Sequence, residues 1–308
     1  MKDSPFSRRR ILTAAAGMSV SAIAAGTARA ADAPARDSKP RPQSPKRFKI
    51  SLAGYSFRQF LDQPGKPGKM SLFDMVDLCV KLGIDALEPT AYYFLKTDDD
   101  YVHSLKRKAF LAGIEISASP MRNNFCLPPG PELDKELDAT RAWVDVCVKL
   151  GAPAIRIFAG KPQKDAGREK DLANAIAGMK KACEYAGSKG VFLAIENHGY
   201  LTETADAVIK ILDGVKHDWL GINLDTGNFV DKPYENIAKA APHAIICQFK
   251  TEVVRSDGAK GREPADFARI FKIIREAGYR GYVTLEYEGA DPHKEVPIYL
   301  AKMQELAG

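Results

Sequence analysis

Three carboxylates and one carboxamide recur at intervals that suit a shared site: Glu196, Asp225, Gln248 and Glu286 stand 29, 23 and 38 residues apart. Each closes, or nearly closes, a short apolar run, at 191–196, 220–225, 244–250 and 282–286. Side chains on a strand alternate between two faces. Val191, Leu193 and Ile195 take one face and leave Phe192, Ala194 and Glu196 on the other. Leu220, Ile222 and Leu224 likewise oppose Gly221, Asn223 and Asp225, and Val283 and Leu285 oppose Tyr282, Thr284 and Glu286. Ile245, Cys247 and Phe249 oppose Ala244, Ile246, Gln248 and Lys250. One such residue alone is an ordinary polar strand end; four in register on successive strands are a site. Burying three ionised carboxylates side by side costs several kcal/mol each and adds mutual repulsion, so protons or a cation must compensate. Three carboxylates and an amide oxygen are hard donors, suited to Mn²⁺, with Mg²⁺ or Co²⁺ as alternatives, rather than to a thiolate-type zinc centre. The spacing therefore predicts one divalent ion held by Glu196, Asp225, Gln248 and Glu286.

The same parity nominates neighbours. His198 and Lys250 lie two residues beyond Glu196 and Gln248 and so share their face, where they can bind substrate oxygens or move protons. For Lys250 the alternatives are a catalytic role and pairing with a nearby carboxylate. Glu88 and Arg156 belong to the matching rows of two earlier strands, as substrate contacts or as a buried salt bridge. Tyr55 and Phe125, in loops after the first and third strands, are candidates for an apolar wall beside a substrate, although packing under its loop suits Phe125 better. His103, His217 and His293 fall in helix or loop contexts and read as surface residues.

The elements that must carry these residues follow from the apolar periodicity. Short runs at 49–54, 84–88, 114–119, 154–158, 191–196, 220–225, 244–250 and 282–286 alternate with amphipathic stretches at 71–82, 98–112, 131–150, 168–189, 202–213, 233–241, 264–277 and 294–306. Gly83, Gly151, Gly190 and Gly278 stand where helices hand over to strands, as helix C-caps favour. Eight strand–helix units over about 260 residues predict a single-domain (β/α)₈ barrel, with its site at the C-terminal ends of the strands. A doubly wound open sheet would bring a glycine-rich phosphate loop after its first strand. Tyr55-Ser56-Phe57-Arg58 stands there instead.

The first thirty residues read differently. Ser7-Arg8-Arg9-Arg10-Ile11-Leu12 opens a stretch rich in alanine and glycine that ends at Ala28-Arg29-Ala30, the pattern of a twin-arginine signal peptide with a small-residue cleavage site. Residues 31–47 are dense in proline and charge and read as a disordered linker, so the expected barrel is 48–308. The expected partner is the twin-arginine export machinery, and the expected compartment is periplasmic or otherwise extracytoplasmic. Residues 1–47 carry +7 of the chain's net +6, leaving the remainder at −1. That near-neutral remainder lacks the clustered positive charge of a nucleic-acid binder. The five cysteines form no C-x-x-C pair and sit mostly in apolar runs, as core thiols do.

Four motifs give the chain a family likeness: Leu193-Ala194-Ile195-Glu196-Asn197-His198, Asn223-Leu224-Asp225-Thr226-Gly227-Asn228, Cys247-Gln248-Phe249-Lys250 and Thr284-Leu285-Glu286-Tyr287-Glu288. From Phe48 to the C-terminus the sequence resembles the sugar phosphate isomerase/epimerase family, the xylose isomerase-like barrels. The resemblance implies that Glu196, Asp225 and Glu286 ligate one divalent ion and that Glu196 and Glu286 exchange the proton from opposite sides of the substrate. It also implies a substrate-binding place for Asn228. Gln248 stands where epimerase members usually carry histidine, a substitution similar to dehydratase members acting on dehydroshikimate or inosose. The expected activity is isomerisation or epimerisation of an unphosphorylated sugar or keto-sugar through an enediolate. The alternatives are elimination of water or an aglycone from a keto-sugar, and a non-catalytic sugar-binding barrel. The abasic-DNA endonucleases that share the barrel need several histidines, and this chain has 5.

Overall fold

The computed structural model describes residues 47–164 and 166–308. The expected signal peptide and all of the expected linker except Arg47 lie outside the described residues. Eight parallel strands form one sheet: β1 (Ile50–Ala53), β2 (Ala86–Glu88), β3 (Glu115–Ile116), β4 (Ala154–Ile157), β5 (Phe192–Glu196), β6 (Leu220–Asp225), β7 (Ala244–Phe249) and β10 (Val283–Leu285). The helices between and after them are α1 (Leu72–Leu82), α2 (Asp99–Leu111), α3 (Pro131–Leu150), α4 (Arg168–Ser188), α5 (Ala205–Val215), α6 (Pro233–Ala240), α7 (Phe267–Glu276) and α8 (Pro292–Ala307). The strand order β3-β2-β1-β10-β7-β6-β5-β4 leaves β3 and β4 as the two ends of the sheet.

The segment after β3 closes the ring. Ser117 N still donates to Leu87 O on β2 (3.0 Å), whereas Ser119 N donates to Ala154 O (2.9 Å) and Met121 N to Arg156 O (3.0 Å) on β4. Residues 117–121 therefore pass from one neighbour to the other, which is why the expected strand 114–119 is regular only over Glu115–Ile116. Trp143 of α3 donates its indole N–H to Ser119 O (3.2 Å) and holds this seam against the helix layer. The result is the (β/α)₈ barrel that the periodicity predicts.

Helix ends follow the sequence signals. Ser71 and Asp74 form a reciprocal capping box at the start of α1, and the glycines at 83, 151, 190 and 278 all have positive φ. The expected helix 202–213 begins later, at Ala205, because the Thr204 side chain caps it by accepting from Ala207 N.

Inside the ring, Ala118, Ala154, Ala194 and Ile246 form a separate small apolar cluster. Arg156, Glu196 and Gln248 stand two residues further along the same strands, so the apolar floor and the polar layer above it are one alternation read twice. Ile245 corrects the expected pattern. Strand parity groups it with Cys247 on the face away from Gln248, yet it packs against the inner cluster and over Gly221, where an added Cβ would fall 2.7 Å from its Cγ2. A bulge is responsible: Ile222 pairs with Ala244 but Asn223 pairs with Ile246, so β7 gains one residue at that point and the parity slips. Beyond β7 the sequence reading also lacks a two-stranded antiparallel hairpin, β8 (Glu252–Val254) and β9 (Arg262–Pro264), which rises from the mouth of the barrel.

Candidate active site

Glu196 ends β5 and is buried, and three side chains converge on its carboxylate. Arg156 Nε lies 2.8 Å from Oε2 as an ion pair without hydrogen-bond alignment. Asn228 Nδ2 donates to Oε1 at 2.8 Å, and His198 Nδ1 lies 3.1 Å from the same oxygen. Burial opposes ionisation of Glu196, but Arg156, His198 and Lys250 outweigh it and hold its carboxyl below the ordinary value. His198 is raised in return, chiefly by its hydrogen bond to Glu196 and against its burial. Arg156 is anchored from behind by Nη1 donating to Met121 O (2.8 Å) and stacks its guanidinium over Phe158, 4.1 Å from the ring centroid.

Lys250 organises the other half. Its ammonium lies 2.8 Å from Glu288 Oε1, 3.3 Å from Glu286 Oε2 and 3.5 Å from Asp225 Oδ2. Burial works against its charge, yet Asp225, Glu286 and Glu288 together push its pKa above the ordinary lysine value. Gly227 makes room for the lysine stem, since a Cβ there would sit 2.6 Å from both Lys250 Cβ and Cγ. Asp225 Oδ1 accepts from Gly227 N (2.8 Å), while Oδ2 is buried with no hydrogen-bond partner. Burial, with the charges of Glu196 and Glu286 added and Lys250 only partly offsetting them, pushes Asp225 up to about 8. Glu286 is raised too, by burial first and by Glu196 among its neighbours, against the pull of Lys250.

A chain of amides crosses the lumen between these halves. Asn223 Nδ2 donates to Gln248 Oε1 (2.5 Å), and Gln248 Nε2 donates to Glu88 Oε1 (2.6 Å). Glu88 is fully buried on β2 and pushed up to about 8, mainly by desolvation and then by the charge of Glu286. Asn197 locks the ends of β5 and β6 together, its Oδ1 accepting from Asp225 N (2.9 Å) and its Nδ2 donating to Asp225 O (2.8 Å).

Glu196, Glu286, Lys250, Arg156, His198 and Tyr55 all line one cavity of about 570 Å³ at the C-terminal ends of the strands. Asn228 reaches it through Glu196, and Gln248 and Glu88 lie beneath it. Phe125 is not a wall of this cavity; it is fully buried and packs against Gly178 of α4. Residues absent from the sequence reading also line the cavity: Tyr92, Arg122, Asn123, Phe158, Lys161 and Glu288. Glu288 carried a legible signal, since it stands two residues beyond Glu286 as Lys250 does beyond Gln248. Phe158 did too, since it shares the parity of Ala154 and Arg156 at the end of the expected strand 154–158, whereas Tyr92, Arg122, Asn123 and Lys161 lie beyond strand ends, where parity gives no direction. His103 and His293 are exposed, as expected, although His293 rests edge-on against Phe57 and Phe60.

Among the described residues no three His, Cys, Asp or Glu side chains are grouped as metal ligands, and Glu196, Asp225 and Glu286 pair with Arg156 and Lys250. The chemistry of the donor set nevertheless fits a hard divalent ion. Four buried carboxylates (Glu88, Glu196, Asp225 and Glu286) face two buried cations, Arg156 and Lys250. Asp225 Oδ2 lacks a hydrogen-bond partner, and Gln248 Oε1 keeps a second lone pair after accepting from Asn223.

A family model described as xylose isomerase-like TIM barrel matches residues 76–306. No curated protein matches the chain. Among solved structures it is similar to a xylose isomerase-like TIM barrel protein from Mycobacterium smegmatis in complex with magnesium, at 18% identity and TM-score 0.64 over 85% of this chain and 98% of that one. A D-psicose 3-epimerase with D-tagatose from Clostridium cellulolyticum H10 matches at 18% identity and TM-score 0.64, over 84% of this chain and 96% of its own. A probable 3-DHS dehydratase involved in petrobactin synthesis, from Bacillus anthracis, matches at 19% identity and TM-score 0.62, over 84% and 99%. With three quarters of its length matched, this chain belongs to the xylose isomerase-like TIM barrel family.

Proposed function

We propose that the protein is a sugar or keto-sugar isomerase or epimerase that moves a proton next to a carbonyl. One observation carries this reading: Glu196 and Glu286 line the same cavity with their acidities pushed in opposite directions. Two carboxyls with separated pKa values are an acid and a base in waiting. The ionised Glu196 takes the proton from the carbon beside the carbonyl, and its electron pair moves into an enediolate. Glu286 returns a proton. Delivery to the opposite face of the same carbon gives an epimer, and delivery to the adjacent carbon gives the aldose–ketose isomer.

The other side chains prepare this exchange. Asn228 and His198 orient the Glu196 carboxylate from the solvent side, and Arg156 holds it from within. The Lys250 ammonium can donate to a substrate oxygen where negative charge gathers. Tyr55, Tyr92 and Phe158 supply ring faces for the apolar side of a sugar. A divalent ion, which Glu196, Asp225, Gln248 and Glu286 would hold, supplies Lewis-acid polarisation of the carbonyl. The twin-arginine pattern within residues 1–30 supports a site of action outside the cytoplasm, and with it an unphosphorylated substrate.

Gln248 favours a second reading, elimination from a keto-sugar. It stands where epimerase members carry histidine, and its amide is engaged by Asn223 and Glu88. One experiment separates the two. The Mn²⁺-loaded protein is incubated in D₂O with ketoses and 3-keto-glycosides. Carbon-bound deuterium in an otherwise intact sugar is the expected outcome, whereas an unsaturated product transfers the assignment to a lyase. Neither product with any substrate rejects both.

A further inference from the structure

Lys250 occupies a place that the charge of the site reserves for a cation, and it has somewhere else to go. Its ammonium is within 3.5 Å of Asp225 and 3.3 Å of Glu286, two of the four candidate ligands, but its shortest contact is to Glu288 at 2.8 Å. Glu288 is half exposed, whereas Asp225 and Glu286 are buried. The near end of the lysine is fixed: its backbone N–H donates to Thr226 Oγ1 at 3.0 Å, and Cβ and Cγ lie against the Gly227 backbone. Only the distal bonds of the side chain can swing. Asp225 Oδ2, facing the ammonium at ion-pair distance, has no hydrogen bond of its own.

We propose that Lys250 is a built-in competitor for the divalent ion: its ammonium, shared among Asp225, Glu286 and Glu288, gives up the first two when an ion arrives and withdraws to Glu288 alone. The proposal rests on the metal-assisted reading above. A competitor of this kind lowers metal affinity, since displacing it breaks contacts between buried charges, each costly to leave uncompensated. It also makes Glu288 a positioning residue, whose influence on the ion passes through Lys250.

Calorimetric titration of the chelator-stripped full chain with MnCl₂ tests this without reference to turnover. Lys250→Met is expected to bind Mn²⁺ about tenfold or more tightly than the unsubstituted chain, by the usual worth of a charged contact. Glu288→Gln is expected to bind several-fold more weakly, because the displaced ammonium loses its alternative partner. In Lys250→Met/Glu288→Gln the effect of the second change is expected to vanish. If it persists in full, Glu288 acts as a mere nearby charge and the proposal fails. Unchanged or weaker binding by Lys250→Met also overturns it. If neither the parent chain nor Lys250→Met takes up Mn²⁺, the metal reading falls and the competition with it. Lys250→Gln carries the same comparison should Lys250→Met not fold.

Discussion

Glu196 and Glu286 are the same residue type at the same depth, and they differ because different partners reach them. Arg156, Asn228 and His198 surround the first, whereas the second shares a single ammonium with Asp225 and Glu288. Replacing either carboxyl by an amide keeps its shape and removes its proton chemistry. Glu196→Gln and Glu286→Gln should each lower solvent-deuterium incorporation by about 10²–10⁴-fold, with unaltered far-ultraviolet circular dichroism. Wild-type exchange rates in both variants would reassign the acid and the base. Gly227 is a different kind of test. An alanine methyl there would meet the Lys250 stem at 2.6 Å and Glu252 O at 2.8 Å, a collision that includes rigid backbone. Gly227→Ala should destabilise the fold by about 1–3 kcal/mol in urea denaturation, and an unchanged midpoint would show that the mouth has slack the packing denies. That Glu196, Asp225, Gln248 and Glu286 share one face was legible in the sequence, because strand parity alone puts them there. Their pairing was not, because Arg156–Glu196 and Gln248–Glu88 join strands through the lumen, and no spacing along the chain encodes which long side chain crosses to which.

The strands deliver these residues only if their ends are held in register, and Asn197 is the device that does this between β5 and β6. Its carboxamide uses both oxygen and nitrogen on the main chain of Asp225, so the position of that carboxylate depends on a side chain 28 residues earlier. Asn197→Ala should cost about 1–3 kcal/mol through the two buried groups it leaves unpaired. It should also depress turnover beyond what the folded fraction explains, which equilibrium unfolding and initial rates on the same sample will separate. Loss of stability with full specific activity would mean that β6 keeps its own register. Strand and helix positions were readable to within a few residues, since each strand–helix unit repeats one change of period. Three features escaped that reading for local reasons. The bulge at Ile245 inserts a residue without changing composition, and the seam at 117–121 bonds to two neighbours in turn. The β8–β9 hairpin pairs Glu-Val-Val with Arg-Glu-Pro, runs of three that are too short to show an alternation.

Across the whole molecule the mouth carries more buried carboxylates than buried cations, and this surplus has a consequence for stability. Burial pushes Asp225 and Glu88 up to about 8 in the fold, while in the unfolded chain both titrate in the ordinary carboxylate range. Between about pH 4 and 8 the folded state therefore binds more protons than the unfolded state, and stability must fall as pH rises through that interval. Glu286 and His198 are also raised and act in the same sense, and each is lost as pH passes its folded value. Glu196 is lowered, so its contribution disappears only on acidification below the ordinary range and leaves this window untouched. Scanning calorimetry of the chelated protein should show Tm falling by roughly 5 °C or more from pH 5 to 8, given that one pKa unit is worth about 1.4 kcal/mol and each kcal/mol moves Tm by about 2–4 °C in a domain of this size. Asp225→Asn should flatten the slope, because an amide has no proton to lose. Saturating Mn²⁺ should reverse it, because the ion binds the deprotonated ligands and gains affinity as pH rises. A chelated protein whose Tm holds or climbs over that range, with Asp225→Asn parallel to it, would mean that the buried carboxyls are already ionised at pH 5 and that Arg156 and Lys250 suffice to balance them.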